Sequence, residues 1–523
     1  MRPLRRHLRT ASFLMLSCWA ALPPGAAAAQ AGVRAMAEVR VERVVVRGNR
    51  VIPDAEIEAI TQSLAGRRVG VAEIEALRQQ LSRLYAERGY VSSGVLFDDP
   101  LWVEGELRLR AVEGAIDSVH ISGTGDLADA YLLRRLLGQD PVLHLPALQA
   151  RYRLLIEDPL FERVDVAIQP GIEPGAAALD IQVLRARPWE LTLFGNNYRS
   201  ASTGEMQAGA LGSIRNLTGY GDALHLEVRG ASGGELASGG WTLPVDDGSS
   251  RLSVQIQNGD TRIVEAPLDD ADVQSRLHAS EVSLEHDVLR SADRMLGLGL
   301  SYAERSVRSS LFGEPFSFSP GEDDGLSRVR VWRLSQSFSG RWPGAVLALR
   351  STFSVGSGNV TAVDGIPPGQ LPEADFLHWT GQASGQWRPG RGSGWLQARL
   401  AVQKAQDRLL GLERFAVGGH ATVRGYRENT LVRDNGYAAS VEWHWLAERL
   451  GGGIDPFVFH DRGAAWNRNG ERALLRSLGL GIAIHFEHLH GELSWARAID
   501  DRPETAERRL QDRGIHLAVS YVF

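Results

Sequence analysis

The sequence predicts two copies of a small α+β unit, each β-α-α-β-β, followed by a C-terminal antiparallel transmembrane β-barrel of about 16 strands. Three observations carry this. Residues 41–187 contain the same strand–helix–helix–strand–strand order twice. From Pro188 onward, apolar and polar residues alternate between turns rich in Gly, Asp and Ser. The final stretch, Ile515 to Phe523, alternates and ends on an aromatic.

At 523 residues the chain exceeds one ordinary core. A hydrophobic content of 43% with 57 Gly and 13 Trp does not suggest disorder. No run of 18 apolar residues follows the N-terminal region, which excludes helical spans. A barrel is not excluded, because its alternating strands keep mean hydropathy low. The start reads as a signal peptide over residues 1–29. Arg2, Arg5, Arg6 and Arg9 form the basic region, Ala11 to Leu22 the apolar one, and Ala26 to Ala29 the small-residue cleavage site. Lipidation at Cys18 is the weaker alternative, since Met15-Leu16-Ser17 makes a poor lipobox. Cleavage removes the only cysteine, so neither disulfides nor thiolate metal sites are expected. It also removes four arginines from a chain of formal net charge −6, and an acidic exported protein is not expected to bind nucleic acid.

A short segment, 30–40, precedes the first unit (41–114). That unit opens with a strand from Val41 to the turn at Gly48. Pro53-Asp54 then starts a helix carrying Ile57, Ile60 and Leu64. Ile74, Leu77, Leu81, Leu84 and Tyr85 form the apolar face of a second helix, which Gly89 stops. Val91 to Phe97 and Glu106 to Val112 read as strands. The second unit (115–187) repeats this with a strand from Ile116 to Gly123 and helices marked by Tyr131, Leu132, Leu136 and by Leu148, Tyr152, Leu155. Its last strands are Phe161 to Ile168 and Ala178 to Leu184.

Residues 188–523 form the barrel. Leu224, Leu226 and Val228 alternate with His225 and Glu227; Val441, Trp443 and Trp445 alternate with Glu442 and His444. Alternation alone also fits a soluble sandwich. The signal peptide, the many Trp available for interfacial girdles and the C-terminus favour the membrane. At roughly 21 residues per strand and connection the segment yields about 16 strands.

Several short spellings carry no chemistry in context. Gly123-Thr-Gly125 follows a strand and opens a helix, but no βαβ unit continues it. Gly230 to Gly234 spells G-x-S-x-G, yet a further strand rather than a helix follows, so it reads as a hairpin turn. His485, Glu487, His488 and His490 fall on both faces of a strand and read as barrel polar residues rather than as metal ligands. No enzyme, cofactor or metal site is expected.

One loop stands apart. Phe415 to Tyr426 contains Gly418, Gly419 and Gly425 around Arg424, sits between two strand-like runs, and precedes Phe457 to Gly463. Val423-Arg424-Gly425-Tyr426 resembles the VRGY/F signature of outer-membrane transporters built from POTRA domains and a barrel. Phe459, Asp461 and Gly463 match that superfamily's F-x-D-x-G segment. Ala86 to Val91 and Gly105 to Gly114 resemble the first POTRA of the two-partner secretion transporters (TpsB; the ShlB/FhaC/HecB group), although Asp98-Asp99-Pro100 replaces their Pro-x-Gln. Phe194-Gly195-Asn196-Asn197 resembles their opening barrel hairpin, and Tyr521 and Phe523 the C-terminal insertion signal.

The resemblance implies a translocation pore in the bacterial outer membrane, with POTRA domains in the periplasm. A loop over 408–436 folds into its lumen, anchored by Arg424 on Asp461. It implies an unfolded secreted (TpsA-like) partner, no ATP, and outer-membrane lipid, barrel assembly machinery and periplasmic chaperones as partners in the pore's own insertion. Partner capture is expected at a POTRA sheet edge by strand addition. In POTRA 1 this edge is Val91, Val95 and Phe97 with the groove beside Leu77, Leu81 and Leu84; in POTRA 2 it is Phe161, Val164 and Val166. About eleven residues between cleavage site and first strand are too few for a plug helix. An insertase of the BamA/TamA kind and a passive porin or receptor remain as alternatives.

Overall fold

The computed structural model describes residues 38–138, 140–361, 371–390, 392, 394–445, 453–468, 470–502 and 509–523. The signal peptide and the expectation of no plug helix lie outside them. The chain divides into two compact units, one reaching to Ala186 and one running from Arg187 to Phe523.

The first unit holds both small domains. POTRA 1 comprises β1 (Val39–Arg40), β2 (Arg43–Arg47), α1 (Asp54–Thr61), β3 (Arg68–Val69), α2 (Val71–Glu87), β4 (Gly94–Val103) and β5 (Glu106–Val112). Its sheet runs β2-β5-β4, with β2 parallel and β4 antiparallel to β5. Helix α2 forms because Ile74, Leu77, Leu81 and Tyr85 recur at three- and four-residue spacing and bury one face against that sheet. At its start the Glu73 carboxylate accepts the Gly70 N–H at 3.0 Å, satisfying a free helix-end donor. The short β1–β3 pair is an addition to the sequence expectation; two-residue strands carry no readable alternation.

POTRA 2 comprises β6 (Ile116–Ser122), α3 (Asp129–Leu137), α4 (Leu145–Leu155), β7 (Phe161–Pro170) and β8 (Ala177–Arg185), in the sheet order β6-β8-β7. Gly48 and Gly123, which end the first strand of each domain, share one physical reason. Both have φ above +80°, and a Cβ on either would meet a central-strand carbonyl, of Ala111 and of Val183.

The second unit is a closed barrel of 16 antiparallel strands. Its strands are β9 (Trp189–Asn196), β10 (Gln207–Arg215), β11 (Ala223–Ala231), β12 (Gly234–Pro244), β13 (Ser250–Arg262), β14 (Gln274–Arg290) and β15 (Arg294–Leu311). A two-residue β16 (Glu314–Pro315) extends the hairpin after β15. Then come β17 (Leu326–Trp342), β18 (Ala345–Gly358), β19 (Asp375–Trp387) and β20 (Gly394–Ala405). A small hairpin of β21 (Phe415–Val417) and β22 (Leu431–Arg433) leaves the wall. The wall resumes with β23 (Asn435–Trp445), β24 (Ile454–Trp466), β25 (Ala473–His485), β26 (Leu489–Ala498) and β27 (Ile515–Val522). The Gly230–Gly234 segment is the β11–β12 turn.

The barrel is apolar outside and polar inside. On β14, Val282 and Leu284 are 47% and 50% exposed, while the intervening Glu281, Ser283 and Glu285 line an internal cavity. That is the inverse of a soluble sandwich and fits a lipid-facing wall. Trp189, Trp342, Trp387 and Trp445 stand at strand ends on the short-turn side, where interfacial aromatics belong. No helix among the described residues is long and apolar enough to cross a membrane.

Strand β27 closes on β9 through five register pairs, Ala518↔Asn196 to Val522↔Thr192. Beyond them the buried Asn197 side chain continues the seam, donating to the Ile515 carbonyl at 2.8 Å and accepting the Leu517 N–H at 2.8 Å. Tyr521 and Phe523 pack edge-to-face at 4.8 Å on the outer surface of this last strand.

Candidate functional site

The loop between β20 and β23 emerges at the long-loop end of the barrel, with the β21–β22 hairpin as its stem. Gly418 and Gly419, at φ +113° and +97°, turn the tip tightly. The turn is closed by Gly418 N–H on Thr422 Oγ1 (2.8 Å) and Gly419 N–H on the Val423 carbonyl (3.0 Å). These residues place Arg424 against the wall of β23 and β24, where it is among the most buried side chains of the molecule.

The Arg424 guanidinium makes a two-point contact with Asp461, Nε to Oδ2 at 2.8 Å and Nη2 to Oδ1 at 2.9 Å. Its own backbone N–H also donates to Asp461 Oδ2 at 3.0 Å. Nη2 further reaches Glu442 Oε1 at 2.8 Å and Ser440 Oγ at 3.1 Å. Arg399 donates to the same Glu442 oxygen at 2.6 Å, and the other oxygen lies 3.0 Å from His444 Nε2. Two arginines thus face two carboxylates. A buried charge is tolerable only with such pairing, and the planar fork of arginine matches a carboxylate at two points.

The Phe459 ring lies flat beneath the guanidinium, 3.4 Å from its carbon to the ring centroid. Gly479 and Gly481 on β25 make room for this aromatic floor, since a Cβ there would meet the rings of Phe459 and Phe457. Gly463 is where loop and wall touch: a Cβ would lie 2.5 Å from Val417 and 2.8 Å from Val423.

The flanking residues hold the tip. Val423 is buried with Val417, Tyr426, Ala465 and Leu475. Gly425, at φ +90°, donates its N–H to His516 Nε2 at 3.2 Å. The Tyr426 hydroxyl lies 3.0 Å and 3.1 Å from the Arg476 and Asp500 carbonyls and accepts the Asp500 N–H. Arg427 forms a two-point contact with Asp512 and reaches Glu265 at 2.9 Å, tying the tip to two other loops. The sequence does not single out Glu442, Ser440, Arg427 or Asp512 as part of the anchor. Glu442 carried a usable signal, as an acid on the polar face of an alternating strand beside Asp461's strand.

The POTRA edges differ from the sequence expectation in detail. Val91 lies in a turn before β4, which begins at Gly94. Leu77 and Leu81 do not line an open groove: both are buried in the domain core, because helix α2 needs that face to pack on the sheet. Leu84 and Phe97 are half-buried, and the Val95 side chain points into the same core. The Val95 backbone is already taken. Its N–H donates to Ser82 Oγ at 3.0 Å, and its carbonyl accepts from Arg78 Nη1 at 3.0 Å. In POTRA 2, Phe161, Val164 and Val166 are buried core side chains, and the Val164 carbonyl accepts from the Tyr152 hydroxyl at 2.8 Å. Burial raises the pKa of Tyr152, with the Asp165 charge adding to it, so the hydroxyl keeps its proton. Strand alternation turns the N–H and carbonyl of Val166 and Ile168 the same way, off the sheet.

Among the described residues, no group of His, Cys, Asp and Glu is arranged to hold a metal ion.

Comparison with known proteins sets this geometry in a family. Residues 175–485 match the model of the haemolysin secretion/activation protein family ShlB/FhaC/HecB, and residues 39–114 match the ShlB-type POTRA domain. The outer membrane transporter CdiB of Dickeya dadantii is 23% identical over 466 residues, covering 86% of this chain and 79% of that protein. The hemolysin transporter protein ShlB of Serratia marcescens is 26% identical over 196 residues, 35% of this chain and 32% of that protein. Among solved structures, CdiB from Escherichia coli superposes with a TM-score of 0.68 at 19% identity, over 97% of this chain and all of that one. BamA from Haemophilus ducreyi lacking POTRA domains 1–3 reaches a TM-score of 0.55 at 13% identity, over 93% of this chain and all of that one. With a family match spanning more than half its length, POTRA domains and a closed 16-strand barrel, the chain belongs to the ShlB/FhaC/HecB family of outer-membrane two-partner secretion transporters.

Proposed function

We propose that this transporter secretes one unfolded exported partner protein of the TpsA-like class, captured in the periplasm by its POTRA domains and passed through the barrel without ATP. The observation that carries this reading is a lumen crossed by a loop pinned at Arg424, with a polar cavity of about 410 Å³ left open beside it. A passive porin needs neither the POTRA pair nor a pinned loop. Folding of the partner outside the cell supplies the driving force, since the periplasm holds no ATP.

Capture proceeds by strand addition, in which main-chain hydrogen bonds give affinity with little demand on sequence. Because Ser82 and Arg78 occupy the Val95 backbone, we place docking at the outward-facing backbone of Val166 and Ile168 in POTRA 2, and only beyond Phe97 in POTRA 1. Tyr521 and Phe523 serve the pore's own insertion, for which periplasmic chaperones, the barrel assembly machinery and outer-membrane lipid are the partners.

The test is co-expression with a large exported protein encoded beside this gene, scoring its surface delivery with and without residues 41–187. Delivery lost on deletion, with the barrel still inserted, is the expected result. Unchanged delivery overturns POTRA capture. Loss of other outer-membrane proteins in its place points to the insertase.

A further inference from the structure

The lumen loop is held at two places of different build, and the second has no counterpart in the Arg424 motif. Before the stem hairpin, the first limb of the loop docks on a separate stretch of wall, β15 to β20. Leu409 and Leu410 are buried with Val329, Val331, Phe376 and Ala405. Next to them the Glu413 carboxylate, with 3% of its side chain exposed, meets two arginines and a histidine from three wall strands. Arg333 Nη2 on β17 donates to both of its oxygens, at 2.7 Å and 2.9 Å. His378 Nε2 on β19 lies 3.0 Å away, and Arg305 Nη1 on β15 lies 3.8 Å away. Gln403 on β20 donates to the Glu413 backbone carbonyl at 2.9 Å.

The two sites differ in how readily they release. At the tip, Arg424 and Asp461 are each 1% exposed, the arginine rests on an aromatic ring, and its backbone N–H adds a further bond. Pulling them apart strands charges that water does not reach. At the base, the side chains of Arg333 and Arg305 are 15% and 38% exposed and face an open cavity. On release Arg305 and the cavity-facing edge of Arg333 rehydrate in place, and a carboxylate entering the lumen is solvated as well.

The space beside Glu413 is shaped as a path. The 410 Å³ cavity is bounded on one side by Leu412, Glu413 and Arg414 of the loop, and on the other by charged, hydroxyl- and amide-bearing side chains of β14 to β20. A second cavity of about 280 Å³ shares Arg350 and Gln382 with the first and runs past the loop tip at Ala421 and Thr422. Together they follow the wall from β14 to β23 and end at Arg399 and Ser440, beside the Arg424 anchor. The Ser, Thr and Gln side chains of this lining offer exchangeable hydrogen bonds to a passing main chain.

We propose that Glu413 is the releasable latch of the lumen loop and Arg424 its fixed pivot, and that an extended polypeptide passes between the first limb and the β14–β20 wall once Glu413 leaves Arg333. This deepens the secretion reading and rests on it for the identity of the cargo, but the latch itself is tested without cargo.

The full-length protein is inserted in planar bilayers and its single-channel conductance recorded. Glu413→Gln and Arg333→Gln should each raise mean open-state conductance about threefold or more over the wild type, with the folded barrel's resistance to SDS unchanged. Conductance equal to wild type in both overturns the latch. The pair Glu413→Cys/Arg333→Cys, in a mature chain with no other cysteine, supplies the second measurement. Bridging the two thiols with a short crosslinker should lower conductance at least threefold and stop delivery of the partner, reversibly if the crosslinker is cleavable. A bridged pore that conducts and secretes like the unbridged one also overturns the proposal. If the wild type secretes nothing, the secretion reading fails while the conductance comparison still decides the latch.

Discussion

At the scale of residues, the weight of the lumen falls on Arg424. Truncation leaves Asp461 and Glu442 buried with too little positive charge, a situation that costs about 3–5 kcal/mol. Arg424→Ala should therefore release the loop tip: protease added from the long-loop side cuts between Gly418 and Thr430 in the variant and spares the wild type. Arg424→Lys should sit between them, because an ammonium keeps the charge and loses the two-point fork. A tip equally protected in all three proteins would remove the anchor role. The sequence contains the pairing only through resemblance. Nothing in the spacing of Arg424 and Asp461 says that a loop folds back 37 positions to meet a strand. Gly463 became intelligible only in three dimensions, where Val417 and Val423 lie against it. Glu442 could have been read, since alternation puts it on the inner face. Glu413 could not: it lies on a loop with no period, and its partners come from three separate strands.

At the scale of elements, the POTRA edges show how a domain can hide a sticky strand. An unpaired edge invites any extended chain, and blocking it with the domain's own side chains is one remedy. Ser82 and Arg78 do this for Val95, and Tyr152 does it for half of Val164. Ser82→Ala should speed hydrogen exchange of the Val95 amide, as removal of one hydrogen bond worth about 1 kcal/mol gives a fivefold change. Exchange at the wild-type rate would show that the cap does not hold in solution. The helices were readable because a 3.6-residue apolar period survives whatever it packs against. The same period misled on Leu77 and Leu81: it identifies the face a helix buries, not whether a partner or the helix's own sheet covers it. Strand β4 starts at Gly94 and not at Val91 because Tyr90 to Ser93 close a turn, the Ser93 N–H on the Tyr90 carbonyl, and the β-branched Val91 beside Tyr90 reads locally like a strand start.

At the scale of the molecule, the barrel was legible as alternation, and its strand number as a quotient of length and repeat. Which wall is pinned and which is open was not legible, because that depends on where one loop goes after it enters the lumen. The structure gives the lumen two unlike regions, a fully buried ion-pair anchor on β23 and β24 and an open cavity lined by charged, hydroxyl and amide groups along β14 to β20. Such a division suits a channel that passes a flexible main chain while one loop stays attached. The most direct measurement places the purified transporter in liposomes with its POTRA domains outward, adds the unfolded N-terminal segment of the exported partner without nucleotide, and assays protease protection of that segment. The account predicts protected, full-length segment inside the vesicles, at a rate unaffected by ATP and abolished when residues 41–187 are removed. Segment that stays fully accessible, or enters equally well without those residues, would contradict it.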